Sequence, residues 1–148
     1  MPAIRFLVPV TVFRPGKTTA SPVPHDYLGY LLGQARNGAR FKDQTEITIG
    51  GRPATIVTAT AAVELAGSLG CPEQHLAAGH GCYGLRPNAL IRIAVLSVND
   101  QTLVIWLRTD AAADPQDFAP KVAQFEAMLS SLRFREQTAA PSASSTRR

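Results

Sequence analysis

The chain has 148 residues, 45% of them hydrophobic and 18% charged, with a formal net charge of +4 and a pI near 9.5. That length suits one domain with its own core, and the sparse charge leaves room for a covered face. No apolar run reaches the roughly 18 residues of a membrane helix, basic partners are disfavoured, and the scattered Lys and Arg residues do not point to nucleic acid.

Met1 to Val10 lacks the basic region, uninterrupted apolar run and small-residue cleavage site of a signal peptide. Any export signal or membrane tether is therefore expected in a longer native gene. Ile4 to Val12 reads as a strand, with Pro9 arguing for an edge or a bulge. Arg14-Pro15-Gly16-Lys17 is turn chemistry, and Thr18 to Pro24 is a polar connection. Pro24 and Asp26 suit a helix start, Tyr27, Leu28, Leu31, Leu32 and Ala35 recur at helical spacing, and Asn37-Gly38 supplies the stop. Gly29 and Gly33 suggest close packing of this helix on a sheet.

Glu46 to Ile49 alternates as a half-buried strand, Gly50-Gly51 turns, and Arg52 to Thr60 returns. Ala61 to Gly70 is a small apolar extension, and Gly84 to Asn88 closes the loop that follows. Leu90 to Val98 and Thr102 to Arg108 form a hairpin about Asn99-Asp100, apolar enough for central strands covered on both faces. A turn there makes paired positions sum to 199, placing Arg92 opposite Leu107 and Arg108 opposite Ile91. A second helix is expected from a cap near Asp117, burying Phe118, Val122, Phe125, Leu129 and Leu132, with Ser130 to Phe134 leaving as a short last strand. Together these elements predict one α+β domain over residues 1–135. It has a mainly antiparallel sheet with two helices packed on it, and a disordered tail at 136–148.

The Gly-Gly-Arg-Pro-Ala turn at Gly50 to Ala54, the long hairpin, and the closing Phe125-Glu126-Ala127-Met128-Leu129-Ser130-Ser131-Leu132-Arg133-Phe134 carry a resemblance. Over residues 4 to 135 the chain resembles the PsbP/Mog1-like α/β/α sandwich, including extracytoplasmic actinobacterial proteins and lipoproteins of that fold. The resemblance implies a binding or accessory role, with no shared catalytic residues and no cofactor to carry over.

Chemistry concentrates between Cys71 and Cys82, the two cysteines, with His75 and His80 between them. A disulfide would pin this loop and imply an oxidising compartment, hence an extracytoplasmic or secreted protein. Two free thiols are the second reading. Cys71, His75, His80 and Cys82 as zinc ligands are the third, although their Cys-x3-His-x4-His-x-Cys spacing is not a common one. Cys82 with His25 or His80 has the residue types of a nucleophile pair, so a metal- or thiol-dependent enzyme stands as the alternative function. Gly79, Gly81 and Gly84 match G-x-G-x-x-G without following a strand or opening a helix, which excludes dinucleotide binding. Trp106, Tyr83 and Tyr30 are candidates to line a pocket, with core placement the competing reading of Trp106. Arg92 or Arg108 could meet an anionic ligand, or both could lie at the wet ends of the sheet. The leading expectation is a non-enzymatic binding module for a protein or small molecule, with room for a homodimer.

Overall fold

The computed structural model describes residues 3–110 and 115–134. The tail expected at 136–148 and the connection at 111–114 lie outside these residues. Five strands form the main sheet: β1 (Ala3–Leu7), β4 (Ala39–Ile49), β5 (Arg52–Ala61), β8 (Ala89–Val98) and β9 (Gln101–Asp110), in the order β1-β9-β8-β5-β4. Every pairing in it is antiparallel. Two short ribbons accompany it, β2 (Thr11–Val12) with β3 (Ser21–Pro22), and β6 (Leu65–Gly70) with β7 (Tyr83–Leu85). The helices are α1 (Tyr27–Leu32), continued by a 3-10 turn (Gly33–Asn37), and α2 (Pro115–Ser131).

Alternation of side chains along β5, β8 and β9 divides the interior into two cores. Ala59, Ile91, Ile93, Val104 and Trp106 point to the side where Tyr27 and Leu31 of α1, Val12, Leu69 and Leu85 are packed. Ala54, Ile56, Ala94, Leu96, Ile105 and Leu107 point to the other side, against Phe125 and Leu129 of α2. A central sheet thus lies between α2 on one face and α1 with both ribbons on the other. The hairpin register is the expected one, with Arg92 opposite Leu107 and Ile91 opposite Arg108. Asn99 and Asp100 have φ of 53° and 65°, the left-handed pair a type I′ turn needs. Gly50 and Gly51 turn with φ of 58° and 79°.

Several expectations are corrected. The first strand stops at Leu7, because Pro9 has no N–H for a ladder, and pairing resumes only at Thr11. The strand expected from Glu46 begins seven residues earlier, at Ala39, and shifts register between Lys42 and Thr45 where Asp43 adopts φ 56°. The apolar extension after Ala61 is a strand of its own, β6. The first helix is short. Asp26 is its N-cap, accepting from the Gly29 N–H at 2.9 Å, and Gly38 at φ 107° ends the following turn. Neither helix glycine packs on the sheet: Gly29 lies under the Asp26 carboxylate, and a side chain at Gly33 would meet open space. α2 starts two residues before Asp117 and carries Pro120 inside it. No last strand follows among the described residues. The helix runs to Ser131, where the Ser130 and Ser131 hydroxyls donate to the Glu126 and Met128 carbonyls. Phe134 then packs on Gly50.

Candidate functional site: the disulfide loop and its groove

Cys71 and Cys82 are bonded to each other, with Cα atoms 4.3 Å apart. Three neighbours bring them together. The Cys71 N–H donates to the Thr11 carbonyl at 2.8 Å, and its carbonyl accepts from Val10 N–H at 2.7 Å, so Cys71 is fixed and fully buried at the foot of β2. Cys82 directly precedes β7. Within the loop, the His80 N–H donates to the Ala77 carbonyl at 2.9 Å, making a small turn, and His75 holds φ 67°.

The loop forms one wall of a groove of about 650 Å3. Residues 18–22 of the β2–β3 connection form the opposite wall, and Val10, Thr11 and Phe13 also line it. Thr11, Thr18, Thr19 and Ser21 offer hydroxyls, Gln74 an amide and His75 an imidazole; no Asp, Glu, Lys or Arg lines it. The groove therefore suits an uncharged ligand with hydroxyl or amide groups and an apolar flank.

The metal reading of Cys71, His75, His80 and Cys82 is corrected. Sulfurs joined to each other cannot serve as thiolate ligands, and among the described residues no three His, Cys, Asp or Glu side chains are grouped to hold an ion. The same bond removes the thiol that a Cys82–His25 or Cys82–His80 nucleophile pair requires. His75 lines the groove. His80 stands exposed in the loop.

Tyr83 and Trp106 do meet, edge to face with ring centroids 5.3 Å apart, and the Arg5 guanidinium lies 5.5 Å from the Tyr83 ring centre. Trp106 is buried in the α1-side core, so this corner is packed rather than open. Tyr30 is engaged elsewhere. Its hydroxyl donates to the Ser68 carbonyl at 2.7 Å while Tyr27 donates to the Leu69 carbonyl at 2.6 Å, and the two bonds dock α1 on β6. Burial holds the Tyr27 phenol well above its ordinary value near 10 and pushes Tyr30 up to about 12, with Arg14 opposing the rise.

The two arginines lie on opposite faces. Arg92 is on the α2 side and only 6% exposed. Its Nε donates to Glu126 at 3.1 Å, and its Nη1 donates to the Asp43 carbonyl at 2.7 Å and to Thr58 Oγ1 at 3.1 Å. It thereby ties the β4 bulge, β5 and α2 together, and it is not at a wet end of the sheet. Arg108 is exposed on the α1 side, beside Arg86 and Asn88 around a depression of about 240 Å3.

The groove hydroxyls escaped sequence reading. Thr18, Thr19 and Ser21 read as an ordinary polar linker, and only the β2–β3 pairing, two residues long, turns them toward the loop. No protein-family model and no curated protein matches the chain. Among solved structures, the chain is similar to the crystal structure of a Pseudomonas aeruginosa protein of unknown function, at 13% identity and a TM-score of 0.49, over 93% of this chain and 86% of that one.

Proposed function

We propose that the protein is a non-enzymatic binding or accessory module of extracytoplasmic type, built as a PsbP/Mog1-like sandwich, whose ligand sits in the groove beside the Cys71–Cys82 loop. One observation carries the reading: a covalent bond holds one wall of a groove of ligand-binding size. A wall ordered before binding lowers the entropy lost when the ligand arrives. The disulfide also supports the compartment, since such bonds persist in oxidising surroundings. No helix among the described residues is long and apolar enough to cross a membrane.

The test is a screen of neutral hydroxylated and amide compounds by amide chemical-shift mapping, repeated on His75→Ala and Gln74→Ala. Shifts should cluster at residues 18–22 and 74–77, and each substitution should weaken the best compound about fivefold or more, the worth of about one hydrogen bond. Hits that map elsewhere, or that bind both variants as tightly as the parent, overturn the groove as the site.

A further inference from the structure

Five large apolar residues are exposed among the described ones, and four of them alternate along one short stretch: Ile4 (45%), Phe6 (54%), Val8 (41%) and Val10 (37%). β1 is an edge strand. It pairs with β9 on one side and with no strand on the other among the described residues. Ile4 lies opposite Leu107 and Phe6 opposite Ile105, so both point to the α2 side of the sheet, yet α2 leaves them uncovered. An apolar edge with open backbone groups is what proteins ordinarily blunt with charge, a bulge or a cover.

The sequence at positions outside the described residues carries little apolar surface to offer as a cover. Outside the described residues, the connection 111–114 reads Ala-Ala-Ala-Asp, residues 135–148 contain no Val, Ile, Leu, Met, Phe, Tyr or Trp, and Met1 is the one large apolar side chain. The stripe's own pattern fits a cover supplied by a second copy. Ile4 and Phe6 in β1, with Val8 just beyond its end, read alike in both directions about Phe6, so the segment is complementary to itself under a two-fold axis. Antiparallel pairing centred on Phe6 sets Phe6 against Phe6 and Ile4 against Val8. It also sets Arg5 against Leu7, whereas pairing centred on Arg5 would oppose two like charges.

We infer that β1 is the interface of a symmetric homodimer, joined edge to edge with Phe6 at the two-fold axis. The two main sheets become one of ten strands, built from five in each copy. Paired residues share a face, so both α2 helices lie on the same side and flank the apolar stripe. The pairing spans residues 4–8 and the groove is lined from Val10 onward, so each reading stands or fails without the other. A pairing this short buries less than the roughly 800 Å2 per partner of a standard interface, so the association depends on concentration.

Sedimentation of the whole chain tests it. The mass should rise from 15.8 kDa toward twice that value between about 1 and 500 μM, a range set by interface size. Phe6→Lys and Phe6→Glu should each stay monomeric, because like charges then face each other across the axis. An equimolar mixture of the two should recover the dimer, since only a Phe6–Phe6 register pairs the opposite charges. Because Phe6 is exposed, circular dichroism should show both variants folded. If either is not, Ile4→Lys/Val8→Glu, in which each new cation faces a new anion, should dimerise while Ile4→Lys/Val8→Lys should not. A parent that stays monomeric throughout, a parent that grows past the dimer, charge variants that dimerise alone, or a mixture that stays monomeric overturns the inference.

Discussion

Replacing both cysteines, as Cys71→Ala/Cys82→Ala, puts a number on the clamp. The crosslink joins positions 11 apart in sequence, and loop-closure entropy makes a loop of that size worth about 3 kcal/mol through the unfolded state. Cys71 is fully buried, so loss of its sulfur adds up to about 1 kcal/mol for the small cavity. The expected loss of about 3–4 kcal/mol would lower the urea midpoint by about 2 M at a typical slope for this size. Amide exchange should localise the change. Residues 72–82 should exchange faster, while the amides of Val10 and position 71, bonded across β2 independently of the sulfurs, keep their protection. A loss below about 1 kcal/mol, with slope unchanged, would refute the entropic reasoning and show the loop held by its other contacts.

Arg92→Met should cost about 2–4 kcal/mol, because it strands the Asp43 carbonyl, Thr58 and Glu126 together, whereas Glu126→Gln, at a partly exposed carboxylate, should cost about 1 kcal/mol or less; urea unfolding that ranks them the other way sinks the junction. Gly84→Ala would drive a methyl into the Leu65 carbonyl and toward the Gly67 amide, and should lower the melting temperature more than Gly51→Ala, whose side chain meets open space and costs backbone strain of about 1 kcal/mol. A melting curve for Gly84→Ala above that of Gly51→Ala would contradict the tight β6–β7 approach. Raised phenol values mean that the folded state keeps protons the unfolded state releases, so stability is whole below pH 10 and falls as pH rises through about 12. Phenolate absorbance should show Tyr27 and Tyr30 ionising only above the ordinary value near 10, together with unfolding; both ionising at 10 with the fold intact would contradict their burial.

The parts of the fold that local chemistry dictates were legible. Asn99-Asp100 and Gly50-Gly51 can adopt left-handed backbone, and apolar runs on either side leave one sensible register. Asn37-Gly38 marked the end of the first helical segment for the same reason. What failed depended on distant contacts. Residues 40–46 are mostly polar, and the bulge at Asp43 breaks their alternation, so only the end of β4, from Glu46, was legible; its partner β5, rather than its own pattern, makes the first half a strand. Arg92 looked like an interruption of a strand, because Asp43, Thr58 and Glu126 are 34 to 49 residues away. At the site, the cysteine pair was visible, but the groove was not. Its far wall comes from a threonine-rich linker whose direction is set by a two-residue ribbon.

β6 pairs with β7 at Leu65–Leu85 and at Gly70–Tyr83, and the register shifts between the two. The intervening carbonyls of Gly67, Ser68 and Leu69 accept from Phe13 and from the phenols of Tyr30 and Tyr27, 38 to 54 residues earlier in the chain. A nascent or refolding chain therefore cannot complete this strand from its neighbours in sequence. α1 and the β2 segment hold the strand that sets the position at which Cys71 meets Cys82. The bond thus seals an arrangement that contacts from a distant part of the chain also hold in place.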